Sequence, residues 1–181
     1  MNIVSIDFDI IMAPSIEFYN NLVSYEDLFD NELMRICNAD LIHYSRLTMW
    51  LLKEINRLTD NDIIFIKSHD SIIKCFEQNS DITLFNIDHH HDLGYTGEKN
   101  EPINCGNWAK YLLDNHLIKN YIWINNENSV SPKHYKEKYG KEILKSFNLD
   151  NLEADKIIIC LSPEWVPPQY RHLFFLWMDI V

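Results

Sequence analysis

Apolar positions in this chain come in short blocks separated by longer stretches with helical spacing. Five runs rich in β-branched and aromatic residues, at 3–6, 63–66, 82–87, 121–124 and 156–161, predict buried strands. In the stretch 41–58, Leu47, Trp50, Leu51, Ile55 and Leu58 recur at intervals of three to four, which predicts an amphipathic helix. Segments 71–76, 108–117 and 135–147 predict further helices, the second opening at Asn107 as N-cap with Gly106 in the loop ahead of it. Segments 126–132 and 164–169 read as loops. Strands alternating with helices predict an α/β fold, a three-layer sandwich with a mostly parallel sheet covered on both faces. No repeat and no Pro-, Gly- or Ser-rich linker divides the chain, so one domain over 1–181 is expected.

The residues that follow the predicted strands are polar. The first run leads into Ser5, Asp7 and Asp9, the second into Ser68, His69 and Asp70, and the third into Asp88, His89, His90, His91 and Asp92. Open α/β sheets bind ligands at the carboxyl ends of their strands, so these groups are expected to converge. Alternation along an extended chain places Asp7 and Asp9 on one face. It also turns Asp88, His90 and Asp92 one way and His89 and His91 the other. Adjacent carboxylates repel unless a cation or a proton lies between them. Mixed imidazole and carboxylate donors suit manganese, iron or zinc. Asp7, Asp9, His69, Asp88, His90 and Asp92 are too many ligands for one four-coordinate zinc. They suit two divalent ions with bridging carboxylates, a pair that activates water for hydrolysis.

Two more strand ends are expected to line the same crevice. One carries Asn125, Asn126, Glu127 and Asn128; the other carries Ser162, Pro163, Glu164 and Trp165. Glu164, beside a rigid proline, is a candidate acceptor for a guanidinium, whose fork of donors matches a carboxylate. Cys105, Gly106, Asn107 and Trp108 follow the metal cluster closely enough to cover it. Asn107 is there a candidate substrate contact, with a helix start as its alternative role.

Composition narrows the function classes. A formal net charge of −11 argues against binding a phosphate backbone and is compatible with a cationic substrate. The four glycines form neither a dinucleotide fingerprint nor a Walker loop. The four cysteines, Cys37, Cys75, Cys105 and Cys160, contain no CxxC pair, so no zinc knuckle or redox motif is indicated. No apolar run approaches the length of a membrane span or of a signal-peptide core, and a cytoplasmic, reduced protein is expected.

At these residues the chain resembles the ureohydrolase family of arginases and agmatinases. Asp88 through Asp92 match that family's Asp-x-His-x-Asp motif, Ser5 through Asp9 match its Ser-x-Asp-x-Asp motif, and His69 lies 19 residues before Asp88, where a single ligating His is expected. The order differs, because the Ser-x-Asp-x-Asp element opens this chain and comes late in ordinary arginases. The Gly-Gly-Asp-His context of the first His is also absent. The chain looks most like the compact peptide arginases of ribosomal-peptide maturation, in the N-terminal strand, the Asp88 motif and the segments at 105–108 and 162–165. That resemblance implies an arginase/deacetylase-like fold and two Mn²⁺ ions. Asp7 and Asp88 would bridge them, His69 and Asp92 would complete one ion, and Asp9 and His90 the other. It implies conversion of arginine, within a precursor peptide or as a small guanidino compound, to ornithine and urea.

The expected chemistry is metal-assisted hydrolysis in which Asp92 and His90 act at the reacting centre and Asp92 orients the attacking water. His89, His91, His43, His116, His134 and His172 all remain open as proton shuttles. Three other readings stay open: a manganese phosphoesterase of the Asp-His-His type, a deacetylase, and a metal-binding protein without turnover. A homodimer is the expected assembly, with neither nucleic acid nor membrane as partner.

Overall fold

A computed structural model describes residues 1–14, 37–76, 81–94, 102–125, 142–144 and 149–181. Its centre is a six-stranded parallel sheet in the order β4-β8-β1-β5-β6-β7. The strands are β1 (Asn2–Asp7), β4 (Ile63–Ile66), β5 (Thr83–Ile87), β6 (Asn120–Ile124), β7 (Glu142–Leu144) and β8 (Lys156–Cys160). Two short strands outside this sheet, β2 (Met12–Pro14) and β3 (Cys37–Ala39), pair antiparallel. The five predicted strands therefore form, each within a residue or so of its expected limits. The α/β class and the mainly parallel sheet follow.

Alternation along the strands sorts the core into two layers. One face carries Val4, Ile6, Ile87, Ile124, Ile157 and Ile159 and packs against α1 (Leu41–Ile55) and α3 (Arg171–Ile180). The other carries Ile3, Leu84, Tyr121, Trp123 and Ile158 and packs against α2 (Trp108–Asp114) and a 3₁₀ segment, His69–Cys75. Strands buried on both faces read as continuous apolar runs, which is why the sequence shows blocks rather than strict alternation.

α1 starts where Asp40 accepts hydrogen bonds from the amides of Ile42 and His43 at 2.9 and 3.0 Å. It buries the stripe Leu47, Trp50 and Leu51. α3 was not anticipated, and its buried Phe174 and Trp177 meet Phe8 edge-on at 5.6 and 5.1 Å. The helix expected at 71–76 is a 3₁₀ helix. The one expected at 135–147 is corrected at Glu142–Leu144, which is a strand; the rest of that stretch and the loop at 126–132 lie outside the described residues. Three-residue pairing with β6 decides that local choice, and helix propensity is too weak a prior to resist it.

The chain leaves β1 toward the β4 side of the sheet and leaves β5 toward β6. β1 and β5 are neighbours, so their carboxyl ends form a switch point, where a crevice opens in such sheets.

Candidate metal centre

Asp7, Asp9, Asp88, His90 and Asp92 all lie at the β1/β5 switch point. His69 reaches it from β4 across β8. All six expected ligands are brought together. Five are almost fully buried, and the side chain of His90 is 27% exposed, which makes it the donor nearest solvent.

Local turns, rather than the strand alternation expected from sequence, aim these side chains. β1 ends at Asp7, and Asp9 sits in a 3₁₀ turn, Phe8–Ile11, where its amide donates to Asp7 Oδ1 at 3.1 Å. β5 ends at Ile87; beyond it the His90 amide donates to Asp88 Oδ1 at 2.7 Å and the His89 amide reaches Asp9 Oδ1 at 3.4 Å. Asp92 has a left-handed backbone, φ +50°. Side chains that extended geometry would place on one face do meet, but through bends. Residues held at positive φ cost of order 1–3 kcal/mol and gather at functional sites. Ser162, φ +46°, is a second such residue in the same place.

His69 Nδ1 lies 2.9 Å from Asp7 Oδ2, 3.5 Å from Asp88 Oδ2 and 3.4 Å from Asp92 Oδ2. His90 Nδ1 lies 2.9 Å from Asp9 Oδ2 and 3.7 Å from Asp88 Oδ1. Asp9 Oδ2 is nevertheless buried without a hydrogen-bond partner. Its nearest polar neighbour is the His90 imidazole, at ion-pair distance. Three groups have donor atoms all within 4.8 Å of one another: Asp9, Asp88 and His90; His69, Asp88 and Asp92; and Asp7, His69 and Cys160. The first two share Asp88 alone, whereas the resemblance implied that Asp7 and Asp88 both bridge. Buried Asp and His groups here could hold a metal ion, and the donor set is hard to borderline in character.

The electrostatics show a site short of positive charge. Burial and the charges of Asp92, Asp7 and Asp9 push the Asp88 carboxyl well above its ordinary value. Burial and the Asp7 charge raise Asp9 to about 6, against the pull of His90. Burial alone would also raise Asp7, but His69, the Ser162 hydroxyl and the Asp9 amide outweigh it and hold Asp7 low. Burial opposes charge on the imidazoles, yet His69 is raised by Cys160 and Asp7, and His90 is raised to about 9, chiefly by Asp9.

A second ring of residues holds the ligands. Trp108 Nε1 donates to Asp92 Oδ2 at 2.6 Å, and its ring lies 4.9 Å from the His69 ring. Asn86 Nδ2 donates to Asp88 Oδ2 at 3.1 Å, and Trp123 Nε1 donates to the Asp88 carbonyl at 2.8 Å. The Ser162 hydroxyl donates to Asp7 Oδ2 at 2.6 Å, and Ser5 Oγ lies 3.2 Å from His69 Nε2. The supporting roles of Asn86, Trp108, Ser162 and Cys160 were not read from the sequence. Ser5 and Asn86 carry a legible signal, a polar residue inside a strand buried on both faces.

Glu164 and Trp165 are half-buried on the turn after β8, and the Trp165 ring lies 5.1 Å from the His90 ring. Burial raises the Cys105 thiol, and the charges of Asp92, Asp7 and Glu164 raise it further against a hydrogen bond with Trp165. Asn107 is the N-cap of α2, as expected, although its side chain makes no capping hydrogen bond. Its amide instead donates to the Pro102 carbonyl at 2.9 Å and accepts from the Asn104 amide at 2.8 Å. That side chain organises the loop. Among the imidazoles left open as shuttles, His91 Nδ1 accepts from the Leu93 amide at 3.0 Å, and His89 packs edge-on against His90. His134, like Asn126, Glu127 and Asn128, lies outside the described residues.

Comparison with known proteins places no neighbour beside this site: no family model, curated protein or solved structure matches the chain. No helix among the described residues is long and apolar enough to cross a membrane.

Proposed function

We propose that this chain is a dimanganese hydrolase that cleaves the guanidinium of arginine, carried in a precursor peptide, to give ornithine and urea. The observation that carries the reading is the pair of carboxylate–imidazole donor groups that share Asp88, each with its donor atoms within 4.8 Å of one another. His69, Asp88 and Asp92 would hold one ion and Asp9, Asp88 and His90 the other, with Asp7 beside His69. Such ions, when bound, supply activated water at neutral pH and offset developing negative charge.

The chain's own residues do the rest. Trp108 fixes Asp92 through its indole, leaving Asp92 Oδ1 to orient the attacking water. Glu164 accepts hydrogen bonds from the guanidinium, and Trp165 offers a flat wall above His90 for a planar cation. His90, the donor nearest solvent, marks the side from which substrate arrives.

The test is urea release by the full chain loaded with Mn²⁺, with arginine-containing peptides and free arginine assayed side by side. Urea from the peptides alone supports the reading, and urea from free arginine alone would move it to a small-molecule arginase. With metal occupancy confirmed and no urea from either, the guanidinium reading fails; phosphate release from a phosphodiester, or acetate from an acyl-amine, would then identify the reaction.

A further inference from the structure

The third donor group adds Cys160, a residue this chemistry does not use. Cys160 ends β8, is fully buried, and is in register with Asp7 on one side and Ile66 on the other. Three residues beyond Ile66 the chain places His69. Three neighbouring strands therefore set Asp7, Cys160 and His69 side by side, with carboxylate, sulfur and imidazole donors within 4.8 Å of one another.

Hydrogen bonding defines the surroundings of the thiol. Ser162 Oγ has one proton and gives it to Asp7 Oδ2 at 2.6 Å. The contact between Cys160 Sγ and Ser162 Oγ at 3.3 Å must then use the thiol proton. The thiol is thus a weak donor to the Ser162 hydroxyl, and its sulfur lies close enough to His69 to interact with the imidazole charge. A hard ion gains little from it, because manganese prefers oxygen and nitrogen. A thiolate is the ligand that favours zinc and its softer relatives. One sulfur, one imidazole and one carboxylate make a three-residue zinc set with a fourth position open to water.

We propose that Cys160, His69 and Asp7 form a thiolate-containing site for a soft divalent ion of the zinc class, and that filling it withdraws His69 from the group it forms with Asp88 and Asp92. Binding forms a sulfur–metal bond, breaks the S–H bond and releases that proton to solvent. The ion enters and remains divalent, so no oxidant or reductant is needed. Zinc is then an antagonist of the hard-ion centre, because His69 turns the same nitrogen, Nδ1, toward Asp7 and toward Asp88 and Asp92. The coordination stands apart from the guanidinium reaction; only the antagonism rests on hard ions using His69.

Cobalt(II) tests the coordination without any assay of activity. Thiolate ligation gives cobalt an intense near-ultraviolet charge-transfer band that oxygen and nitrogen ligands do not give. The full chain titrated with Co²⁺ is expected to show this band, and Zn²⁺ is expected to erase it. Cys160→Ser is expected to lack the band and to bind zinc about tenfold or more weakly, since even indirect partners of a ligand are worth that much. Cys105→Ser should keep it. No band in the wild-type chain overturns the proposal and needs no variant; so does a band that persists in Cys160→Ser. The antagonism is read from Mn²⁺ released on adding zinc, by the resonance of the free ion. Release at the same zinc concentration from wild type and Cys160→Ser would remove the antagonism. Loss of urea activity in every form would remove the guanidinium reading and leave the cobalt result standing.

Discussion

Asp88→Asn is the perturbation that separates metal binding from folding most cleanly. Asp88 is fully buried and belongs to both carboxylate–imidazole groups, so removing its charge weakens two ion positions together. The substitution keeps size and shape. Oδ1 still accepts from the His90 amide, which lies at 2.7 Å. The new amide nitrogen faces Asn86, whose Oδ1 is buried and without a hydrogen-bond partner, so a flip of Asn86 restores that donor–acceptor pair in exchange for its hydrogen bond to the Tyr121 hydroxyl. A carboxyl raised by burial and three like charges is itself destabilising when ionised. The metal-free variant should therefore melt no lower than metal-free wild type.

Metal reverses the order. An ion at a hundred times its dissociation constant stabilises the native state by about 2.7 kcal/mol. For a domain of this size each kcal/mol moves Tm by roughly 2–4 °C. Wild type should gain about 5–11 °C in Mn²⁺, and Asp88→Asn little or none. Scanning calorimetry with and without Mn²⁺ reads both effects. An equal metal-induced gain in the two proteins would refute the placing of Asp88 between two ions.

Other perturbations address the remaining parts of the site. In the metal-free protein, Asp9 loses its native advantage as pH rises from 3.8 to about 6, and His90 loses its own from 6.5 to about 9, because both bind protons more tightly when folded. Tm without metal should fall across that window and the gain from Mn²⁺ should grow; a metal-free Tm rising from pH 6 to about 9 would contradict the charge balance of the site. Glu164→Gln should leave metal content unchanged and raise KM for the peptide about tenfold or more, a loss of one charge-assisted contact; unchanged KM removes Glu164 from the substrate path. Trp108→Phe deletes the donor to Asp92, so kcat should drop with the Mn²⁺ content retained, and loss of ions instead would make the indole a structural support of ligation. Ile6→Ala, on the face away from the site, should cost about 2–5 kcal/mol in denaturant unfolding with metal stoichiometry intact. A changed stoichiometry there would show that the two layers are not independent.

What the sequence determined by itself is local. Blocks of Ile, Val and Phe specified five strands, because residues buried on both faces of a sheet must be apolar throughout. The polar residues just beyond them identified all six side chains that meet at the switch point, since strand ends are where a parallel sheet can expose chemistry. α3 escaped notice because its Phe174 and Trp177 lie within an almost unbroken apolar run that hides the helical period. The strand Glu142–Leu144 escaped because only its pairing with β6 makes it one.

Tertiary structure decided which strand ends are neighbours. The pairing of β8 between β4 and β1 joins residues 94 positions apart on one side (Ile63 with Ile157) and 153 on the other (Ile3 with Lys156), and no local pattern encodes it. That insertion puts Ser162 on Asp7 and Cys160 beside His69, and it turns a row of hard ligands into a site with a sulfur at one end. The bends at Asp9 and Asp92, not the strand period, then aim the carboxylates inward. Hydrogen-bond ladders between distant strands and the turns they allow are properties of the folded whole, whereas ligand identity is a property of each residue.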